Sequence, residues 1–120
     1  MKIPGPDHPI SITPNPRRVR VHFAGRVIAE SARALSLKEA SYRPVTYIPR
    51  ADADMTLFQR TEQRTECPYK GEASYYTLSS DATSAENAVW SYEQPFPAVA
   101  QIKDHLAFYP QRVTIEEMDG

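Results

Sequence analysis

Arg18-Val19-Arg20-Val21-His22-Phe23 is a strict alternation that puts Val19, Val21 and Phe23 on one face and Arg18, Arg20 and His22 on the other. A period of two is the signature of a strand with one buried and one wet face. Ala24-Gly25 follows, where glycine reaches positive φ cheaply, and Arg26-Val27-Ile28-Ala29-Glu30 then reads as the returning strand of a hairpin. Arg33 to Lys38 continues the pattern as a third strand.

Upstream, five of the 11 prolines (Pro4, Pro6, Pro9, Pro14, Pro16) fall in the first sixteen positions. Their fixed φ and missing amides discourage helix and central strand, so residues 1–16 are expected to form an extended arm. Downstream, Arg43 to Pro49 is β-branched and aromatic between prolines, as a short edge strand would be. Asp52-Ala53-Asp54-Met55 suits a capped helical turn. Glu72 to Leu78 is strand-like, and Ser79 to Ser84 reads as a polar loop. Pro95 to Ile102 offers a helical turn or two, with Pro97 near its start. Leu106-Ala107-Phe108-Tyr109 and Arg112 to Glu116 read as a closing hairpin around Pro110-Gln111. The whole predicts a mainly β, compact single domain over residues 17–118, built of antiparallel sheets with one or two short helical turns.

Composition narrows the function classes. At 120 residues the chain can bury roughly two-thirds of its unfolded surface, enough for one core. Lys+Arg 14 against Asp+Glu 15 gives a net charge of −1, without the basic field that gathers phosphates, so neither nucleic acid nor an anionic membrane is expected as a partner. The triplet Arg17, Arg18, Arg20 reads as a solvated strand face. No apolar run approaches the ~20 residues of a membrane span, and the first residues lack a secretory apolar region, so the expected location is the cytoplasm. One cysteine supplies neither an internal disulfide nor a zinc spacing, and the three histidines are scattered; no metal and no cofactor are expected.

The chemistry-bearing stretch is Thr65-Glu66-Cys67-Pro68-Tyr69-Lys70-Gly71, which sets the only cysteine beside a phenol, an ammonium and a turn glycine. In a ligand-binding reading, Lys70 anchors negative charge, Asp54 and Thr65 orient the ligand, and Tyr69, Trp90 and Tyr92 line the pocket. Trp90 and Tyr92 lie two apart, on one face of a strand, and Tyr75 can join them from a neighbouring strand; Tyr76 then faces the other way. In an enzyme reading, Cys67 is a thiol nucleophile or redox centre aided by Lys70, with His105 as acid or base. A third reading is a protein interaction module using exposed strand edges. A small-molecule ligand is the expected partner, with a homodimer left open.

The pattern resembles the bacterial and fungal domain-of-unknown-function family number 427. The likeness rests on the strand-turn-strand at Arg18 to Ser31, on Tyr47-Ile48-Pro49 followed by Asp52 and Asp54, and on Thr65 with Cys67-Pro68-Tyr69-Lys70-Gly71. Asn87, Ala88, Trp90, Tyr92 and Pro95, and Ala107-Phe108-Tyr109, complete it. It implies a compact fold of several coiled sheets, similar in kind to the β-tent folds, and no established reaction. The family has also carried a nucleotidyltransferase label. Such chemistry needs metal-binding carboxylates, for which Asp52 and Asp54 are the candidates, and a phosphate-holding glycine loop, which is absent here.

Overall fold

In the computed structural model, which describes residues 1–119, ten strands form two antiparallel sheets, with short 3-10 turns between strands of the larger one. The strands are β1 (Ile10–Pro14), β2 (Arg18–Phe23), β3 (Arg26–Ser31), β4 (Leu35–Glu39), β5 (Val45–Pro49), β6 (Phe58–Cys67), β7 (Gly71–Ser80), β8 (Thr83–Ser91), β9 (His105–Phe108) and β10 (Thr114–Met118). Seven of them form a sheet in the order β1-β4-β5-β9-β8-β7-β6, and β10-β2-β3 form the second. The only 3-10 turns among the described residues are Arg50–Asp52, Met55–Leu57 and Pro97–Ile102. None is long and apolar enough to cross a membrane.

The alternation at residues 18–23 becomes β2, with Val19, Val21 and Phe23 buried. Ala24 (φ 52) and Gly25 (φ 77) are both left-handed, as a two-residue turn matched to strand twist requires. The small sheet packs these side chains, with Ile28, against Ile48, Phe58, Tyr76, Leu78, Val89, Leu106 and Phe108 on one face of the large sheet. The opposite face holds a second cluster made of Leu37, Tyr47, Ala73, Tyr75, Tyr92, Val99, Ile102 and Ala107. Period-two alternation divides neighbours between the two: Tyr47, Tyr75 and Ala107 go to one side, Ile48, Tyr76 and Leu106 to the other.

Four sequence expectations are corrected. Within the expected arm, Ile10–Pro14 pairs with β4, because Ile10 and Ile12 pack onto the second cluster and Pro14 ends an edge strand, where a missing amide is tolerated. The expected edge strand β5 is interior, paired with β4 and β9. Residues 79–84 are mostly strand, with the β7–β8 turn reduced to Asp81 (φ 53) and Ala82. The expected closing hairpin does not form: β9 joins the large sheet and β10 pairs with β2. The ten-residue β6, of which only Thr65 to Cys67 figured in the sequence expectations, has one buried residue, Phe58; as an edge strand it carries charged and polar side chains instead of an apolar face.

Candidate functional site

The Cys67 to Gly71 stretch is the tip of the β6–β7 hairpin, where Pro68, Tyr69 and Lys70 turn the chain. Gly71 has φ +111, and a Cβ there would lie 3.4 Å from the Gln94 carbonyl oxygen. Glycine is favoured by its backbone angle, while the 94–96 segment lies at ordinary contact distance and its Phe96 amide donates to the Lys70 carbonyl at 3.0 Å. The tip also holds the N-terminal segment: the Lys2 amide donates to the Pro68 carbonyl at 2.7 Å, and the His8 ring stacks on Tyr69 with centroids 3.9 Å apart and planes 5° from parallel.

Behind the tip lies a pocket of about 280 Å³ whose walls include Tyr47, Tyr75, Trp90, Tyr92 and Tyr109, with Lys70, Glu39 and Arg43 as its charged groups. Tyr75 stands directly opposite Trp90 in the β7–β8 register, and Trp90 packs on Tyr109 with centroids 4.7 Å apart. Lys70 pairs with Glu39, and its ammonium also sits 5.8 Å from the Tyr92 ring centre. Both members of that pair are largely withdrawn from solvent, Lys70 at 12% and Glu39 at 13% side-chain exposure. Burial alone would raise the Glu39 carboxyl, but hydrogen bonds from Lys70 and His8, with their charges, hold it below the usual carboxylate range. Burial pushes the Tyr47 and Tyr92 phenols well above their ordinary range, and burial together with Tyr75 pushes Tyr109 up to about 12. At neutral pH the phenols are protonated hydroxyls able to donate hydrogen bonds.

Of the residues expected at the site, Lys70, Trp90 and Tyr92 do meet in this pocket. The rest are placed elsewhere. Asp54 caps the Met55–Leu57 turn, accepting from the Thr56 amide at 3.2 Å and from its hydroxyl at 2.5 Å, which draws its carboxyl below the usual range. Thr65 reaches the pocket only indirectly, its hydroxyl 2.9 Å from that of Tyr75, and Tyr69 is occupied by His8. Asp52 is engaged by Arg33 at 2.9 Å and Ser31 at 2.6 Å, so Asp52 and Asp54 do not converge as a metal-binding pair.

Cys67 lies at a different cavity, a cleft of about 740 Å³ bounded by Arg60, Glu66, Glu72, Ser74, Glu93 and Phe96. His105 begins β9, three strands from β6, which at about 4.8 Å per strand puts it roughly 14 Å away. Its Nδ1 lies 2.9 Å from the Lys103 carbonyl oxygen. With Lys70 committed to Glu39, the expected assistants of Cys67 are not gathered around it.

The cleft floor carries a network absent from the sequence reading. Glu93 accepts from Arg60 at 2.8 Å, Tyr76 at 2.8 Å, Ser74 at 3.1 Å and Arg50 at 3.1 Å. Burial alone would raise its carboxyl, but these donors outweigh it and hold it low. Residues missed at the aromatic pocket include Tyr42, Tyr47, Tyr109, Glu39 and Arg43, which come from β4, β5 and the segments beyond β4 and β9. The one available signal was parity, since Tyr47 alternates with the core residue Ile48.

The fold and its pocket define a small antiparallel β domain with an aromatic-walled cavity at one hairpin tip. The chain belongs to the family described as domain of unknown function DUF427, whose model, NTP_transf_9, matches residues 11–119. A comparison with curated proteins finds no match.

Proposed function

We propose that this domain binds a small planar molecule carrying an anionic group in the pocket between the β6–β7 tip and strands β4, β5, β7 and β8. The observation that carries this reading is the meeting of five tyrosines and the chain's only tryptophan with the withdrawn Lys70–Glu39 pair around one cavity. Aromatic walls favour a flat ring, by stacking and edge contacts. The charges nearest the cavity are Glu39, Lys70 and Arg43, one carboxylate against two cations, so an anionic substituent is favoured. A volume near 280 Å³ lies just below the roughly 300–1,000 Å³ of drug-sized sites, which suits a single ring system.

Trp90 makes the pocket its own reporter. Titration with benzoate and related aromatic carboxylates, followed by tryptophan fluorescence, is expected to give a saturable change. Lys70→Met and Tyr92→Ala are expected to weaken binding by tenfold or more. Absence of any response across that ligand class, or unchanged affinity in both variants, would refute the proposal.

A further inference from the structure

The charge of the pocket is shared with a residue that lies outside it. Glu39 uses one carboxylate oxygen for Lys70, while the other lies 2.8 Å from Nε2 of His8. His8 is contributed by the N-terminal segment, which a local bridge shapes and two further contacts tie to the fold. Its own amide and carbonyl bridge Gly5 at 3.0 and 3.3 Å, the Ala40 amide donates to the Pro9 carbonyl at 2.8 Å, and its ring lies flat on Tyr69. Pro4, Pro6 and Pro9 stiffen the same segment and reduce the entropy lost in placing it.

We propose that His8 is a specificity-determining residue for the aromatic pocket, acting through Glu39 so that planar carboxylates bind more tightly when the imidazole is protonated. The inference rests on the ligand class argued above. With a neutral imidazole, Glu39 and Lys70 cancel one another. With an imidazolium, two cations share one carboxylate and the site gains one positive charge, and imidazole is the side-chain group whose charge changes across the physiological pH range. Other charged groups near His8 and the pocket are Lys2, Asp7, Lys38 and Arg43. The Lys2 ammonium lies 5.9 Å from the Tyr69 ring centre, Asp7 precedes His8 in the chain, and Lys38 on β4 is tied to the Ala40 and Tyr42 carbonyls. Arg43 stands in the pocket wall. A unit charge roughly 7 Å from the bound carboxylate, at an effective dielectric of about 40, changes affinity about fivefold to tenfold.

The test uses benzoate and its uncharged analogue benzamide, with Trp90 fluorescence as readout, at pH 7.5 and pH 5.5 in the full chain and in His8→Gln. Benzoate affinity is expected to rise fivefold to tenfold on acidification in the parent chain and to stay level in His8→Gln, with benzamide insensitive in both. An equal rise in both proteins overturns the role of His8 while leaving the pocket reading standing. If benzoate never binds, the pocket reading fails for this class, and the relay is judged without ligand from the Lys70 side-chain and Tyr92 ring NMR signals. Signals that move between pH 5.5 and 7.5 in the parent chain and stay fixed in His8→Gln support it; signals that stay fixed in both overturn it.

Discussion

Glu93→Gln tests whether the network under the larger cleft holds the β6–β7–β8 end of the large sheet together. The carboxylate accepts from two arginines, a tyrosine and a serine, with Ser74 and Tyr76 buried. Glutamine keeps the shape but removes the charge and points an N–H₂ group at donors. A fully buried charge-assisted bond is worth about 1.5–3 kcal/mol. Side-chain exposures of 47% for Arg60, 33% for Arg50 and 23% for Glu93 place these bonds nearer the surface value, about 1 kcal/mol each for the two arginines. Adding about 1 kcal/mol for the donor facing donors gives a loss of roughly 2–3 kcal/mol. At about 2.1 cal/mol/K per residue, the unfolding entropy of 120 residues is about 0.25 kcal/mol/K, so Tm falls by roughly 8–12 °C at pH 7. The folded Glu93 carboxyl lies below its reference of 4.5, so its contribution is complete above that pH and is lost as pH falls through the folded value. The gap between parent and variant should therefore close as melts followed by circular dichroism are taken from pH 7 to pH 3. A gap under about 2 °C at pH 7, or one that persists undiminished at pH 3, would refute the reasoning.

Gly71→Ala places a side chain at φ +111 against the Gln94 carbonyl and is expected to cost about 1–3 kcal/mol in urea unfolding, whereas Gly25→Asn, at φ +77 in open space, should cost well under 1. Equal stability of the two variants would contradict the argument from the Gly71 backbone angle. Leu106→Ala, at 0% exposure between the two sheets, should lose about 2–5 kcal/mol, checked by the same unfolding curves. Absorbance titration of the seven tyrosines should show that Tyr47, Tyr92 and Tyr109 resist ionisation at pH 11 in the native protein and ionise near 10 in urea; uniform native titration near 10 would mean the pocket is open to water. Asp54→Ala should leave benzoate affinity unchanged, since Asp54 only caps a 3-10 turn, and a tenfold loss would return it to the site.

What the sequence alone determined was local. Alternation at residues 18–23, the Ala24-Gly25 turn, the parity that separates Tyr75 from Tyr76 and the proline-led turn at Pro97–Ile102 all depend on neighbours within a few residues, where backbone sterics and period decide the outcome. Even Asp54 as a turn cap was legible, because its partner is Thr56. Pairing between distant strands was not. Whether β10 joins β9 or β2, and whether β5 lies at an edge, depends on which apolar faces bury each other across the whole chain. The same holds for charge. Lys70 looks like a free cation in sequence, and Asp54 like a pocket carboxylate. Only the folded chain brings Glu39 from 31 residues away to Lys70, with His8 equally far on its other side, and turns an isolated ammonium into one member of a shared set. Ion-pair partners are chosen by proximity in space, and short-range periodicity carries no information about it.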